Sequence, residues 1–247
     1  MYHFFVDKSQ IHPASITITG PDVNHIKNVL RMKPEEQVLI SNREDRDYLC
    51  RLTEISADAV EAEILEEREE TTELPAKIWL FQGLPKSDKM ELIIQKAVEL
   101  GAYQIVPVAT KRAVVKLDKK KEEAKLKRWN AISESAAKQS KRLIIPETAP
   151  VMSFEEALAF VKDFDSKCIP YECASGMDSV KQFVSQTGPG QKIAVFIGPE
   201  GGFEEAEIER AREAGVVPVS LGKRILRTET AGMALLSVLA FHLEGGL

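Results

Sequence analysis

Residues 193–204 read Ile-Ala-Val-Phe-Ile-Gly-Pro-Glu-Gly-Gly-Phe-Glu, and this stretch decides the fold class. Its first five residues form a continuous apolar run, which is typical of a strand buried on both faces. The glycine-rich turn that follows leads into a helical pattern over residues 204–214. A buried strand, a short turn and a helix in this order are the repeating unit of a parallel α/β sheet.

The same alternation runs through the C-terminal part of the chain. Gly101 suits the position directly after a helix, where a left-handed backbone is favoured. The sequence therefore predicts a parallel α/β domain over residues 76–247, with a strand order that the pattern leaves open. The expected strands are 78–81, 105–108, 169–173, 193–197 and 217–221, and the expected helices are 88–100, 122–139, 179–185 and 204–214, before a last apolar helix at 231–243.

Residues 1–70 follow a different pattern and predict a small β-rich domain. Apolar and acidic side chains alternate over residues 60–64, which is the period of a half-buried strand. A short helix over residues 22–30 follows the Gly20-Pro21 break. The polar segment 66–75 closes on a proline, and we interpret it as a linker. The expected strands of this domain are 16–19, 37–40, 48–55 and 59–65.

The bulk properties exclude several classes of protein. The longest apolar stretch, 231–243, is too short to span a bilayer. The N-terminal residues lack the pattern of a secretion signal. The three cysteines contain no C-x-x-C pair, and the four histidines lack the spacing of metal ligands. We therefore expect a cytoplasmic protein with no metal, no disulfide framework and no membrane partner.

The distribution of charge favours a nucleic-acid partner, although the net charge is −5. Residues 111–142 contain twelve lysines and arginines and only four acidic residues, so this window carries +8 and the remainder of the chain −13. A concentrated basic segment is the electrostatic footprint of a phosphate-backbone contact. The alternative is a solvated, lysine-rich helix face.

The glycine loop at residues 198–203 is the strongest candidate for a ligand site. Ligands of open parallel sheets bind at the carboxyl ends of strands, and glycines allow the backbone to approach them closely. The loop has neither the Lys-Ser/Thr of a P-loop nor the G-x-G-x-x-G spacing of a dinucleotide site. Glu204 and Glu205 would repel a phosphate from the following helix. The loop suits a neutral or cationic ligand, and the alternative is a tight turn without a ligand.

A second segment, Leu-Gly-Lys-Arg-Ile-Leu-Arg-Thr-Glu-Thr-Ala at residues 221–231, also follows an expected strand. The apolar pair Ile225 and Leu226 could line an adenine pocket while the neighbouring backbone groups bind the base edge. Thr228 is positioned to cap the last helix. The alternative is a loop that is simply docked by its hydrophobic pair.

Together, the two segments resemble the knotted SPOUT-class methyltransferases, most closely the group that methylates N3 of a uridine in small-subunit ribosomal RNA. Further similarities lie around His25 and residues 29–31, in 86–101, and in 134–146. In two places the chain departs from many relatives. It has Lys141 where they carry glycine, and Lys111-Arg112-Ala113 where they carry Glu-Arg-Ser.

The resemblance implies a trefoil-knotted C-terminal domain, a PUA-like N-terminal domain, S-adenosylmethionine as cofactor and an obligate homodimer. The all-round apolar surface of the last helix independently favours a dimer, although burial within one domain is the alternative. The expected partner is ribosomal RNA or the small ribosomal subunit. The residues that we expect to bind the cofactor on this resemblance are Glu172, Ile197, Gly198, Pro199, Glu200, Gly201, Gly202, Leu221, Gly222, Ile225, Leu226 and Thr230.

Methyl transfer from a sulfonium needs a held donor and an in-line nucleophile, but no metal. Because the imide proton at N3 must leave, an arginine near the uracil carbonyls would stabilise the developing anion, and Arg227 or Arg224 is the candidate. Glu200 or Glu229 would act as the base or orient one of these arginines, unless a Glu–Arg pair only braces the loop.

The expected contacts to the RNA backbone are basic residues of both domains. For Arg31 the alternative is a surface ion pair. Two other interpretations stay open: a 2′-O-ribose methyltransferase acting on another RNA, and a non-catalytic RNA-binding factor of ribosome assembly. A nucleotide-dependent enzyme is disfavoured because no phosphate loop is present. The RNA-contact candidates are His25, Arg31, Arg43, Lys86, Lys89, Arg112, Arg128 and Arg142.

Overall fold

The computed structural model describes residues 1–69, 72–171 and 176–246. The chain forms two compact units. The first contains Met1–Glu73 together with Ala137–Ile145, and the second contains Leu74–Ala136 and Pro146–Leu247. Residues 137–145, which the pattern of the sequence groups with the C-terminal domain, therefore pack with the N-terminal unit.

The first unit is built on a five-stranded sheet in the order β1-β3-β4-β5-β2. β1 runs parallel to β3, and the other neighbours are antiparallel. The short helix α1 (Pro21–Asn24) continues directly as a π-helical turn over His25–Val29. The strands are β1 (Tyr2–Phe5), β2 (Ser15–Thr19), β3 (Gln37–Ser41), β4 (Asp47–Ile55) and β5 (Ala59–Arg68), with α1 at Pro21–Asn24.

The strand β1 was not predicted from the sequence, and the predicted linker was wrong at its start. Tyr2–Phe5 buries its last three residues in a row, so it shows no alternation for a pattern to detect. β5 continues to Arg68, which pairs with Asp47 in β4. Backbone pairing holds this polar end of the strand without apolar side chains, so its composition resembles that of a linker.

A chain of buried polar side chains lies within the first sheet. The ring Nε2 of His3 lies 2.5 Å from Ser41 Oγ, and Ser41 donates a hydrogen bond to Asp47. Burial, followed by the charges of Lys138 and Lys141, lowers the pKa of His3 to about 4. His3 is therefore neutral at physiological pH, and the network is a structural feature of the core.

Arg142, expected from the sequence to contact RNA, is instead an internal side chain of the first unit. It is 3% exposed, and its Nε donates to Glu73 Oε1 at 2.7 Å. The same carboxylate accepts the Leu143 amide at 2.9 Å. Removing one partner of such a pair would leave an uncompensated buried charge, so this arginine stabilises the unit and is not available to a phosphate.

The second unit contains a parallel sheet in the order β12-β10-β11-β6-β7-β8, with β9 pairing β7. The fold class predicted from the sequence, a parallel-sheet α/β domain with a small β-rich domain, is confirmed. Facing aromatic rings stabilise the centre of the sheet, where Phe81 and Phe196 stack at 4.6 Å between centroids. The strands are β6 (Lys77–Gly83), β7 (Gln104–Ala109), β8 (Glu147–Thr148), β9 (Met152–Ser153), β10 (Ser166–Pro170), β11 (Lys192–Ile197) and β12 (Val217–Val219).

The helices of the second unit agree with the pattern except for one that was not predicted. Gly101 follows α2 with φ +86°, the left-handed conformation expected after a helix. The unpredicted helix α4 begins at a capping box in which Ser153 and Glu156 bond each other's backbone amides. The helices are α2 (Lys89–Glu99), α3 (Lys119–Ser140), α4 (Phe154–Phe160), α5 (Asp178–Ser185), α6 (Glu205–Glu213) and α7 (Thr228–Leu243). Across the described residues, every helix is too short or too polar to cross a membrane.

Lys141 provides a test of backbone strain. It follows α3 directly with φ +57°, a conformation that costs a residue with a Cβ about 1 kcal/mol. We expect Lys141→Gly to raise the free energy of unfolding by about 0.5–1 kcal/mol relative to Lys141→Ala. Both variants remove the same charge, so urea denaturation of the pair isolates the backbone effect. Equal stability of the two variants would contradict it.

Candidate functional site

The glycine loop at residues 198–203 begins at the carboxyl end of β11, beside the carboxyl end of β6. Ile197 is the register partner of Gln82, which brings Gly83 against the start of the loop. A Cβ on Gly83 would lie 2.6 Å from Pro199 Cδ and 2.7 Å from Pro199 N. The close approach of β6 to the loop therefore requires glycine at residue 83, a requirement that the motif alone does not reveal.

The glycines of the loop serve different purposes. A Cβ on Gly198 would lie 3.1 Å from the Cα of Gly202, so the loop folds tightly back on itself. Gly202 has φ +66°, and its amide donates to Pro199 O at 2.9 Å. Gly201 is exposed, and its carbonyl accepts a hydrogen bond from Arg112 Nη1 at 3.0 Å. The loop is thus a fixed turn whose exposed edge at Gly201 lies against Arg112.

The second segment is joined to this loop by a buried hydrogen-bond chain. Thr228 Oγ1 donates to Gly198 O at 2.6 Å and accepts from Gln82 Nε2 at 2.8 Å. Gln82 is fully buried, and Thr228 is 6% exposed. The prediction that Thr228 caps the last helix was wrong. Arg227 is the N-cap residue without a side-chain cap bond, and Thr228 is the first helical residue.

The two segments form the walls of one pocket of about 710 Å³. Arg224, Arg227 and Glu200 line it as well, and so do Lys89, Arg112, Pro170 and Tyr171. Of the other expected cofactor residues, Thr230 is exposed and does not line the pocket, and Glu172 lies outside the described residues. Those that the pocket brings together are Ile197, Gly198, Pro199, Glu200, Gly201, Gly202, Leu221, Gly222, Ile225 and Leu226.

The wall formed by the second segment has free backbone groups. Within the part of the chain that the structure describes, the amides of residues 223–227 donate no hydrogen bond. Leu221 and Leu226 are half-buried beside them, whereas Ile225 is 86% exposed. This wall offers apolar surface and unpaired donors side by side, which is what a heteroaromatic ring with polar edges requires.

One lysine at the edge of the pocket forms ion pairs with two carboxylates. Lys89 Nζ lies 3.0 Å from Glu200 Oε1 and 3.4 Å from Glu229 Oε2. The Glu200 hydrogen bond raises the pKa of Lys89. Burial raises the pKa of Glu200, but hydrogen bonds from Lys89 and from the amides of Glu200 and Lys86 outweigh it, so this pKa lies below its ordinary value. Lys89 and Glu200 are therefore both charged at neutral pH.

The alternative interpretation, a Glu–Arg pair that only braces the loop, does not hold among the described residues. Glu200 and Glu229 pair with Lys89, because the first turn of α2 lies between the glycine loop and the first turn of α7. Within the described ranges, Arg224 and Arg227 form no ion pair, and both are exposed on the pocket wall. Their guanidinium groups are free for a substrate.

The N-terminus of α6 is closed to phosphate, as the acidic residues of its first turn predict. Glu204 and Glu207 form a capping box, and Glu207 also accepts the Lys111 amide at 2.9 Å. Its carboxylate is 4% exposed, so it takes the place that an anion would occupy. In the three described ranges, no group of three or more histidine, cysteine, aspartate or glutamate side chains is arranged to hold a metal ion.

The structure separates the RNA-contact candidates into several groups. Lys89 belongs to the pocket and Arg142 to the core of the first unit. Arg128 is exposed but pairs with Glu91, its Nε lying 2.7 Å from Oε1. Arg43 lies 3.5 Å from Asp7. Those exposed without an ion pair to a described residue are His25 and Arg31 in the first unit and Lys86 and Arg112 in the second.

Comparisons with known proteins agree with this geometry. The family model of the RNA methyltransferase domain matches residues 72–240, and that of the RNA methyltransferase PUA domain matches residues 18–65. The chain belongs to the RNA methyltransferase family. The SPOUT-class resemblance found in the two C-terminal motifs is confirmed.

Its relatives include the ribosomal RNA small subunit methyltransferase E of Bacillus subtilis, 40% identical over 99% of this chain and 98% of the relative. The solved structure of the Neisseria gonorrhoeae enzyme of that name, bound to S-adenosylmethionine, is 33% identical with a TM-score of 0.85, covering 97% of this chain and 96% of that chain. A protein from Legionella pneumophila, solved with the same cofactor bound, is 31% identical with a TM-score of 0.85, covering 96% of each chain.

The requirement for glycine at residue 83 can be tested directly. Because the added methyl would overlap Pro199, we expect Gly83→Ala to lower the free energy of unfolding by about 1–3 kcal/mol. The matched control is Gly188→Ala, whose Cβ meets no atom within 4 Å and should change stability by less than about 0.5 kcal/mol. Urea denaturation measures both. Equal effects of the two substitutions would contradict the close approach.

Proposed function

We propose that the protein transfers a methyl group from S-adenosylmethionine to N3 of a uridine in small-subunit ribosomal RNA. The observation that carries this proposal is the single pocket shared by the glycine loop and the segment 221–228. Its volume of about 710 Å³ falls within the usual range for small-molecule sites, about 300–1,000 Å³.

The chemistry of the pocket walls supports S-adenosylmethionine as the ligand. The free amides at residues 223–227 and the apolar Leu221 and Leu226 suit an adenine ring. The closed N-terminus of α6 disfavours a phosphate at that end of the loop. Two related structures contain this cofactor.

The residues at the edge of the pocket suggest how the protein would promote methyl transfer. When bound, S-adenosylmethionine supplies an electrophilic methyl group. Arg224 and Arg227, which have no carboxylate partner among the described residues, are positioned to stabilise negative charge on the uracil carbonyls as the N3 proton leaves. This would make the imide a better nucleophile without a metal.

Glu200 is a poor proton acceptor, because its lowered pKa means that it binds a proton weakly. Its two hydrogen bonds from the Lys86 amide, at 3.1 and 3.3 Å, fit a residue that positions Lys89 and the loop. Glu229 is the better candidate for the base. Its Oε2 lies 3.4 Å from Lys89 Nζ, a longer distance than that of Glu200. It directly follows Thr228, whose two hydrogen bonds fix the start of α7.

The substrate RNA would bind to exposed basic residues in each unit. His25 and Arg31 are available in the unit that matches the PUA domain. In the second unit Lys86 and Arg112 are exposed, and Arg128 could exchange its surface pair with Glu91 for a phosphate at little cost. Small-subunit ribosomal RNA is proposed because the Bacillus subtilis and Neisseria gonorrhoeae relatives carry that substrate in their name.

We also propose that the active form is a cytoplasmic homodimer. Most of α7 is covered, but Val238 and Phe241 are 41% and 55% exposed. Beside them lies an apolar groove of about 450 Å³ between α5 and α7, lined by Met177 and Val184 among others. Burial of this surface against a second copy would remove the exposed apolar face of the helix.

Nucleoside mass spectrometry of small ribosomal subunits incubated with the protein and S-adenosylmethionine tests the proposal. We expect 3-methyluridine. Arg227→Ala should lower kcat about 100-fold with little change in cofactor affinity, because the interaction that it removes forms only as charge develops. The matched control is Lys223→Ala, which removes a neighbouring exposed cation. A 2′-O-methylated product, or no methylation of subunits or naked RNA, would contradict the proposal.

A further inference from the structure

A second concave site lies on the same edge of the sheet as the cofactor pocket. This groove, about 770 Å³ in volume, is bounded by residues 109–117, 151–155 and 204–210. It is placed at the carboxyl end of β7, which is two strands from β11 across β6. Arg112 lines the cofactor pocket while its neighbour Lys111 lines the groove, so the two sites adjoin.

The carboxylates of the groove are all engaged within the protein. Glu207 accepts the amides of Lys111 and Glu204, each at 2.9 Å. Glu122 accepts the Val151 amide at 2.9 Å. Two others are used as well, since Glu155 pairs with Arg210 and Glu204 caps α6. These acidic groups have little capacity left for a ligand.

The groups that lack partners are donors. The side chains of Lys111 and Lys116 form no ion pair with any residue in the described ranges. Thr110 is 7% exposed, and its hydroxyl has no hydrogen-bond partner there. A buried hydroxyl without a partner costs free energy, so a ligand that accepts its hydrogen bond would be favoured. The lining has four carboxylates against three basic side chains, so an anion would be held by the two unpaired lysines and the free hydroxyl and not by the net charge of the groove.

We propose that this groove binds a backbone phosphodiester of the substrate RNA, in the nucleotides flanking the methylated base. The inference rests on the proposed function. A free phosphate would be held poorly, because the capping boxes of α4 and α6 occupy the helix amides that usually bind one. Lysine charges act effectively on a polyanion, where each neutralised phosphate releases counterions.

The experiment measures binding of a small-subunit RNA fragment that contains the target uridine, by fluorescence anisotropy over a series of KCl concentrations. We expect the double variant Lys111→Ala/Lys116→Ala to bind about tenfold more weakly than the parent at 100 mM KCl. The slope of log K against log salt should fall by about 0.7–0.9 for each phosphate that the variant no longer neutralises. The matched control is Lys119→Ala/Lys120→Ala, which removes two exposed charges outside the groove and should change both quantities less.

Thr110→Val separates binding from a structural role. Because the free hydroxyl has no partner, the variant should be at least as stable as the parent, yet bind RNA several-fold more weakly. Calorimetric titration with S-adenosylmethionine should give the parent's affinity for every groove variant. Unchanged RNA binding, or an equal decrease in the control, overturns the groove alone if the parent still methylates RNA. A parent that binds no RNA overturns the proposed function as well.

Discussion

The candidate site depends on one buried hydrogen-bond chain, from Gln82 to Thr228 to the carbonyl of Gly198. Gln82 ends the apolar part of β6, Gly198 begins the glycine loop, and Thr228 begins α7. Three elements far apart in sequence are thereby held at one point within hydrogen-bond distance. Because each group is buried, breaking any link would leave an unsatisfied polar atom, which makes the arrangement rigid.

That constraint sets the positions of the charged groups around the pocket. Fixing the loop and the start of α7 brings Glu200 and Glu229 to the same lysine on α2. Lys89 forms ion pairs with both carboxylates, and Arg224 and Arg227 have no acidic partner among the described residues. The lining of the pocket thus carries five basic side chains against the single carboxylate of Glu200.

The sequence predicted the parallel-sheet fold and singled out both segments that line the pocket, because apolar runs and glycine-rich turns are local signals. It could not predict what long-range register decides. Gly83 and Gln82 look like ordinary strand residues until β6 is paired with β11. Lys89 and Arg142 carry the same charge as surface cations, and only tertiary contacts put one in the pocket and the other in the core. Thr228 has the right residue type for a cap, but a buried carbonyl competes successfully for its hydroxyl.

Calorimetric titration with S-adenosylmethionine of the parent, Leu226→Asp and Thr228→Val tests the central claim that the two segments form one cofactor pocket. Leu226→Asp places a charge on the apolar wall, and Thr228→Val removes the link between the segments without changing the size of the side chain. The account predicts that the parent binds and that each variant binds at least about tenfold more weakly, equivalent to about 1.4 kcal/mol. A parent that does not bind, with or without RNA, or variants that bind as tightly as the parent, would contradict it.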